Sequence, residues 1–161
     1  MPASVRAHAN LQLFLARKCI ERLAQDADPF WGEHAETIDR DHAVFHLQLA
    51  YRCHLADLCE QGQQELRPLS AEQALGLLQD EKIPEIVELA EKEVHQEWLA
   101  ALLAENFMPG SGPGGGVETV SRNDLIPVMT PDALSGPAAL AAIADELTSL
   151  FIRHRDTQQE Y

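Results

Sequence analysis

Residues 33–61 form a run without proline or glycine in which apolar side chains recur on nearly every side of a helix. At about 100° per residue, Val44, Phe45 and Leu47 point in widely separated directions. A helix that is apolar on most sides is expected in the interior of a protein. The sequence therefore predicts a central helix with other helices packed around it, and it predicts Leu49 in the centre of the bundle.

Shorter amphipathic patterns predict the remaining helices. Ser4 is a suitable N-cap for a first helix, and the S-x-x-Q pattern at Ser70 predicts a short helix over about 71–79. Further helices are expected over about 84–107 and 137–155. Four long helices, one short helix and no convincing strand predict an all-α antiparallel helical bundle, with a long Gly/Pro-rich loop before the last helix.

The helix expected over 84–107 carries apolar residues on one side and glutamates on the others. Glu85, Glu88 and Glu91 lie on the outer sides, where a glutamate-rich surface is either simply solvated or a contact for a basic protein. These three residues are the candidate partner-binding residues. The predicted inward stripe of this helix consists of Val87, Ala90, Val94, Trp98 and Ala101.

The chain of 161 residues is expected to form a single helical-bundle domain over 1–161. Within it, 108–135 is predicted to be a flexible or docking linker because glycine and proline disfavour regular structure there. The tail, 156–161, is expected to fray. The adjacent aromatic residues Phe30 and Trp31 are expected to plug one end of the bundle.

The acidic composition limits the classes of partner. The net charge of −14 repels nucleic-acid phosphates and anionic lipid, so neither nucleic acid nor membrane is an expected partner. The odd number of cysteines, three, disfavours a disulfide framework. No signal peptide and no run long enough to span a bilayer are recognisable. The sequence therefore predicts a cytoplasmic protein.

One motif suggests a catalytic alternative. The segment from Arg40 to His46, RDHAVFH, resembles the R-x(4–6)-H motif of the HEPN superfamily, whose members are all-helical. The resemblance implies a metal-independent ribonuclease in which Arg40 stabilises the phosphate charge and His46 assists proton transfer, often across a dimer. The alternative is that Arg40 pairs with a carboxylate, such as that of Asp41, while His46 is structural.

Histidines on the same helix suggest a metal-binding alternative. His42 and His46 lie one helical turn apart and could bind one ion together, with His95 or His8 from other helices completing the site. Cys53 and Asp57 share this side of the helix but lie too far along its axis to join the same ion. The alternative is that these histidines face solvent or make ordinary core hydrogen bonds.

A wider pattern covers roughly the first two thirds of the chain. The motif R-D-x-A-x-F-H-L-x-x-A-Y over 40–51 and the W-L-x-x-L-L motif over 98–103 follow an amphipathic first helix. This layout resembles a family of small, uncharacterised helical proteins of gammaproteobacteria. The resemblance implies a bacterial all-helical protein, but it implies no particular activity. The glycine-rich segment departs from the pattern.

The leading hypothesis is a non-catalytic protein that binds another protein, as an inhibitor, an immunity or antitoxin-like protein, or an adaptor. No cofactor is expected, and a homodimer is possible because helical bundles often pair. The HEPN-like ribonuclease and the histidine-based metal site are the alternatives.

Overall fold

A computed structural model describes residues 3–26, 29–107 and 133–160 of the chain. These residues form six α-helices and one 3₁₀ turn, Gly32–His34, and contain no β-strand. The predicted all-α bundle is confirmed. Most of the predicted linker, residues 108–132, lies outside the described residues. The helices are α1 Val5–Leu23, α2 Ala35–Gln61, α3 Ala71–Leu78, α4 Pro84–His95, α5 Glu97–Ala104 and α6 Gly136–Gln159.

The helix α2 lies at the centre, as predicted, and contacts every other described helix. Its antiparallel neighbour α1 is tied to it at both ends, by Arg6 with Asp57 and by Arg22 with Asp39. The same helix α1 runs antiparallel to α6, because Arg6 contacts Gln158 while Arg17 contacts Asp145. Apolar burial between these helices supplies the main stabilisation of the bundle.

One side of α2 is left open, and this corrects the prediction for Leu49. Leu47 and Leu55 are fully buried, whereas Phe45 is 45% exposed and Leu49 is half-buried. The apolar content of a helix indicates how much surface it can bury, but not which sides its neighbours cover. The prediction that Leu49 lies at the bundle centre is therefore wrong.

Both predicted N-caps are present. The hydroxyl of Ser4 accepts a hydrogen bond from the Ala7 amide at 3.1 Å, and that of Ser70 accepts one from the Gln73 amide at 3.0 Å. The side chain of Gln73 reaches back to the amide of Leu69 rather than to that of Ser70. The two hydroxyls satisfy amides that the first turn of a helix leaves without partners.

The helix predicted over 84–107 is two helices, because Gln96 has an extended backbone with φ −105° and ψ 110°. Leu99 follows Ile86 by thirteen residues, so in one continuous helix the two would point about 140° apart. The break brings both into the core, where each is fully buried. It also leaves Val94 78% exposed, so the predicted inward stripe is wrong at this residue.

The aromatic corner before α2 is also exposed, contrary to the prediction that it plugs the bundle. The rings of Phe30 and Trp31 meet edge to face with their centroids 5.3 Å apart. Phe30 is 84% exposed and Trp31 is 46% exposed.

The last helix is longer than predicted. The tail expected to fray continues α6 as far as Gln159, and Gln158 accepts a hydrogen bond from Arg6 at 3.1 Å. Among the described helices, none combines the length and apolar character needed to cross a bilayer.

The open side of α2 leads to a stability prediction. Leu55→Ala should lower the free energy of unfolding by about 3 kcal/mol, because it leaves a cavity in a fully buried site. Leu49→Ala is the matched control on the same helix and should cost less than half as much. Urea denaturation of both variants measures the difference, and equal losses would contradict the placement of Leu49 on the open side.

Candidate functional site

The two residues of the ribonuclease motif have separate partners. Arg40 donates hydrogen bonds to Asp41 at 3.0 Å and to Glu105 at 3.3 Å. His46 contacts the side-chain oxygen of Gln12 through its Nδ1 atom at 2.6 Å. The two residues are six positions apart on α2, so they point about 120° apart. The structure does not bring them together within one chain, and their convergence across a dimer stays a prediction.

The metal candidates are dispersed. His42 is exposed on α2, and His95 is exposed at the end of α4. Asp57 is engaged by Arg6 at 2.9 Å. Across residues 3–26, 29–107 and 133–160, no group of three histidine, cysteine or acidic side chains is arranged to hold a metal ion.

His8 and His46 are nevertheless connected through one buried side chain. The amide group of Gln12 contacts Nε2 of His8 at 3.2 Å and Nδ1 of His46 at 2.6 Å. The amide donates from nitrogen and accepts at oxygen, so the hydrogen bonds assign a proton to Nδ1 of His46 and a lone pair to Nε2 of His8. Partial burial, followed by the nearby His42, lowers the pKa of His46 and favours this neutral form. The arrangement links α1 to α2.

A second histidine pair was not predicted from the sequence. His54 on α2 and His154 on α6 are 0% and 1% exposed, and their Nε2 and Nδ1 atoms lie 2.9 Å apart. The Nε2 atom of His154 lies 3.2 Å from a carboxylate oxygen of Glu88 on α4. Three helices are thus joined by one chain of polar contacts, the His54–His154–Glu88 chain.

The proton positions in this chain follow from the carboxylate at its end. Glu88 accepts the Nε2 proton of His154, so Nδ1 of a neutral His154 accepts a proton from Nε2 of His54. The Nδ1 atom of His54 is then a buried acceptor, and it has no hydrogen-bond partner in the described part of the chain. The His54 ring stacks on Phe151, with the ring centroids 4.1 Å apart.

Burial controls the charge of both histidines. It lowers the pKa of His54 well below its usual value, and the nearby His154, Arg155 and Arg6 lower it further. Burial also lowers the pKa of His154, although Glu88 acts in the opposite direction. Both rings are therefore neutral near pH 7, and the chain holds three helices in register without a buried positive charge.

The acidic side of α4 is partly engaged inside the protein. Both carboxylate oxygens of Glu88 accept hydrogen bonds from Arg153, which are the main cause of its lowered pKa. Glu93 accepts hydrogen bonds from the hydroxyl of Tyr51 at 2.7 Å and from the amide of Ala71, at the start of α3, at 2.5 Å. Glu91, in contrast, is exposed.

The exposed residues around the Gln96 break form the surface that we call the α4–α5 face. It includes two carboxylates and one strongly exposed aliphatic side chain. Glu85 is half-buried and lies six residues before Glu91 on α4, so the two side chains point about 120° apart. The members of the α4–α5 face are Glu91, Val94, His95, Glu97 and Ala100.

Comparisons of the chain with protein-family models, with curated protein sequences and with solved structures found no significant match. The family resemblances of the motifs over 40–51 and 98–103 therefore stay predictions.

The buried histidine pair leads to a prediction about pH. Both folded-state pKa values are lowered, so the unfolded chain binds protons first as the pH falls below about 6.5. The free energy of unfolding should therefore decrease between pH 7.5 and 5.5. His54→Gln keeps a donor near Nε2 and removes one titrating group, so it should reduce this decrease by about 1 kcal/mol.

Urea denaturation of the wild type and His54→Gln at the two pH values measures the effect. The exposed His95→Gln is the control and should lose as much stability as the wild type. An identical pH dependence in wild type and His54→Gln would show that the buried pair does not control acid stability.

Proposed function

We propose that this chain is a non-catalytic, cytoplasmic protein that acts by binding another protein, with the α4–α5 face as its contact surface. The observation that carries the proposal is Val94, which is 78% exposed beside the exposed carboxylate of Glu91. An exposed aliphatic group bordered by carboxylates can bury apolar area at its centre while pairing charges at its rim. A partner with a basic surface fits this chemistry.

The net charge of −14 supports the same class of partner. Long-range attraction between oppositely charged proteins accelerates their encounter and favours partners of complementary charge. An inhibitor, an immunity or antitoxin-like protein, or an adaptor would use the acidic surface in this way.

The internal contacts of α4 narrow the candidate residues. Glu88 is bound by Arg153 and by His154, so its carboxylate is already neutralised. Within the described part of the chain no hydrogen bond or ion pair engages the carboxylate of Glu91, which stays in the proposed surface. Glu85 lies near His154 and points away from Glu91, so it stays a separate candidate. Glu97, beyond the Gln96 break, is the second carboxylate of the surface.

The ribonuclease alternative has less support from the local contacts. Arg40 is bound by the carboxylates of Asp41 and Glu105, so it would have to exchange them for an RNA phosphate. Comparison of RNA cleavage by the wild type and by His46→Ala tests this alternative directly.

The binding proposal is tested by affinity capture from the native host's lysate at low and moderate salt. The wild type should retain one basic protein in stoichiometric amount, less of it at the higher salt concentration. Glu91→Lys combined with Val94→Asp should abolish capture, because the first change reverses the rim charge and the second places a charge in the apolar centre. Asp156→Lys, an exposed residue on α6, is the matched charge control and should retain the partner.

The captured protein should then be titrated in purified form. Glu91→Lys alone should weaken binding by at least about tenfold, whereas Asp156→Lys should have little effect. Failure of the wild type to capture a stoichiometric basic protein would overturn the proposal, as would capture that both variants preserve equally.

A further inference from the structure

A groove of about 470 Å³ runs along the open side of α2. The start of α1, including Val5 and His8, forms one wall, and the segment containing Arg67 and Leu69 forms the other. The floor is the outer surface of α2 around Leu49. We call this cavity the α2 groove. Its volume lies in the range of small-molecule binding sites.

The charge of the α2 groove is opposite to that of the protein. Its charged lining residues are Arg52 and Arg67, and none of the described residues that line it is an aspartate or a glutamate. The chain as a whole has 26 acidic and 12 basic residues. A cavity without carboxylates in such a protein favours an anion at this place and disfavours a cation.

Arg52 has a positive charge and hydrogen-bond donors that are still available to a ligand. Its Nε atom donates to the carbonyl of Leu69 at 3.3 Å and its Nη1 atom to the side-chain oxygen of Gln48 at 2.9 Å. Both acceptors are neutral, and within the described residues Arg52 has no ion pair and its Nη2 atom no hydrogen bond. Arg67, in contrast, pairs with Glu60 at 2.8 Å.

The two neutral hydrogen bonds fix the plane of the Arg52 guanidinium while leaving its charge uncompensated. Burial lowers the pKa of Arg52, which is the effect expected of a partly desolvated cation without a carboxylate beside it. A guanidinium held in this way is suited to receive a carboxylate through two parallel hydrogen bonds.

Apart from His8 and Cys53, the remaining lining is apolar. Val5, Leu49 and Leu69 contribute aliphatic side chains, and Leu69 is 56% exposed. A hydrocarbon chain lying over these residues would remove apolar surface from water on both sides of the contact. The groove therefore combines one cationic anchor with an apolar channel.

We infer that the α2 groove binds a small amphipathic carboxylate, with Arg52 holding the carboxylate and the hydrocarbon chain lying against Leu49 and Leu69. The inference uses a different surface from the α4–α5 face and does not depend on the proposed function. A neutral ligand of the same length would leave Arg52 uncompensated. A cationic ligand would be repelled.

Isothermal titration of the full chain with decanoate, below its micelle concentration, tests the inference. We expect saturable binding at one site, weakened at least about tenfold in Arg52→Gln. Arg17→Gln removes a cation paired with Asp145 on another surface and should bind as the wild type does. Decan-1-ol should not distinguish the wild type from Arg52→Gln. The inference is overturned if decanoate fails to bind the wild type or binds Arg52→Gln equally well.

A second measurement on the wild type does not depend on the folding of any variant. Cys53 lines the groove, whereas Cys19 lies on α1 away from it, and burial raises the pKa of both thiols. Decanoate should slow the alkylation of Cys53 by N-ethylmaleimide several-fold while leaving Cys19 unchanged, as read by mass spectrometry of the peptides. Equal rates at Cys53 with and without decanoate would also overturn the inference.

Discussion

The burial of α2 by its neighbours is the constraint on which the rest of the structure depends. Its apolar side chains can be covered only if α1, α6 and the two helices that replace the predicted fourth one approach from different directions. The break at Gln96 serves this requirement because it brings Ile86 and Leu99 into the same core. One side of α2 is not covered by any of the described helices, and the α2 groove lies along that side.

Apolar packing alone would allow these helices to slide or rotate against one another, because it is largely non-directional. The His54–His154–Glu88 chain is directional. Its hydrogen bonds are made only when α2, α4 and α6 meet at one register, and displacement of any one helix would leave buried ring nitrogens without partners. The buried polar groups therefore select one arrangement among several with similar apolar burial.

Local signals in the sequence were sufficient for most of the fold. The caps at Ser4 and Ser70 depend on residues within one helical turn, and the central helix follows from its uniform apolar content. The exposure of Leu49 and Val94 could not be predicted in the same way. Both depend on where other helices end, which hydrophobic periodicity does not specify.

The contacts of the candidate site residues were also only partly predictable from local sequence patterns. Arg40 was expected to pair with a carboxylate if it was not catalytic, and one of its partners is the predicted Asp41. His154 is not singled out by the sequence, because it sits between two arginines near the predicted end of the last helix. Its position three residues after Phe151 continues the buried stripe of α6 and was the available signal. The pairing of His54 with His154 joins residues a hundred positions apart, which no local pattern can indicate.

The carboxylate of Glu93 couples α3 to α4 when the bundle opens. It accepts hydrogen bonds from the amides at the start of α3 and from the hydroxyl of Tyr51 on α2. A side chain of α4 therefore connects α3 to the central helix. The short α3 also packs mainly on α4 rather than on α2. An opening motion that lifts α4 from the core would therefore carry α3 with it. We therefore expect the two helices to open as one cooperative unit, with the amides of α3 exchanging with solvent on the timescale set by α4.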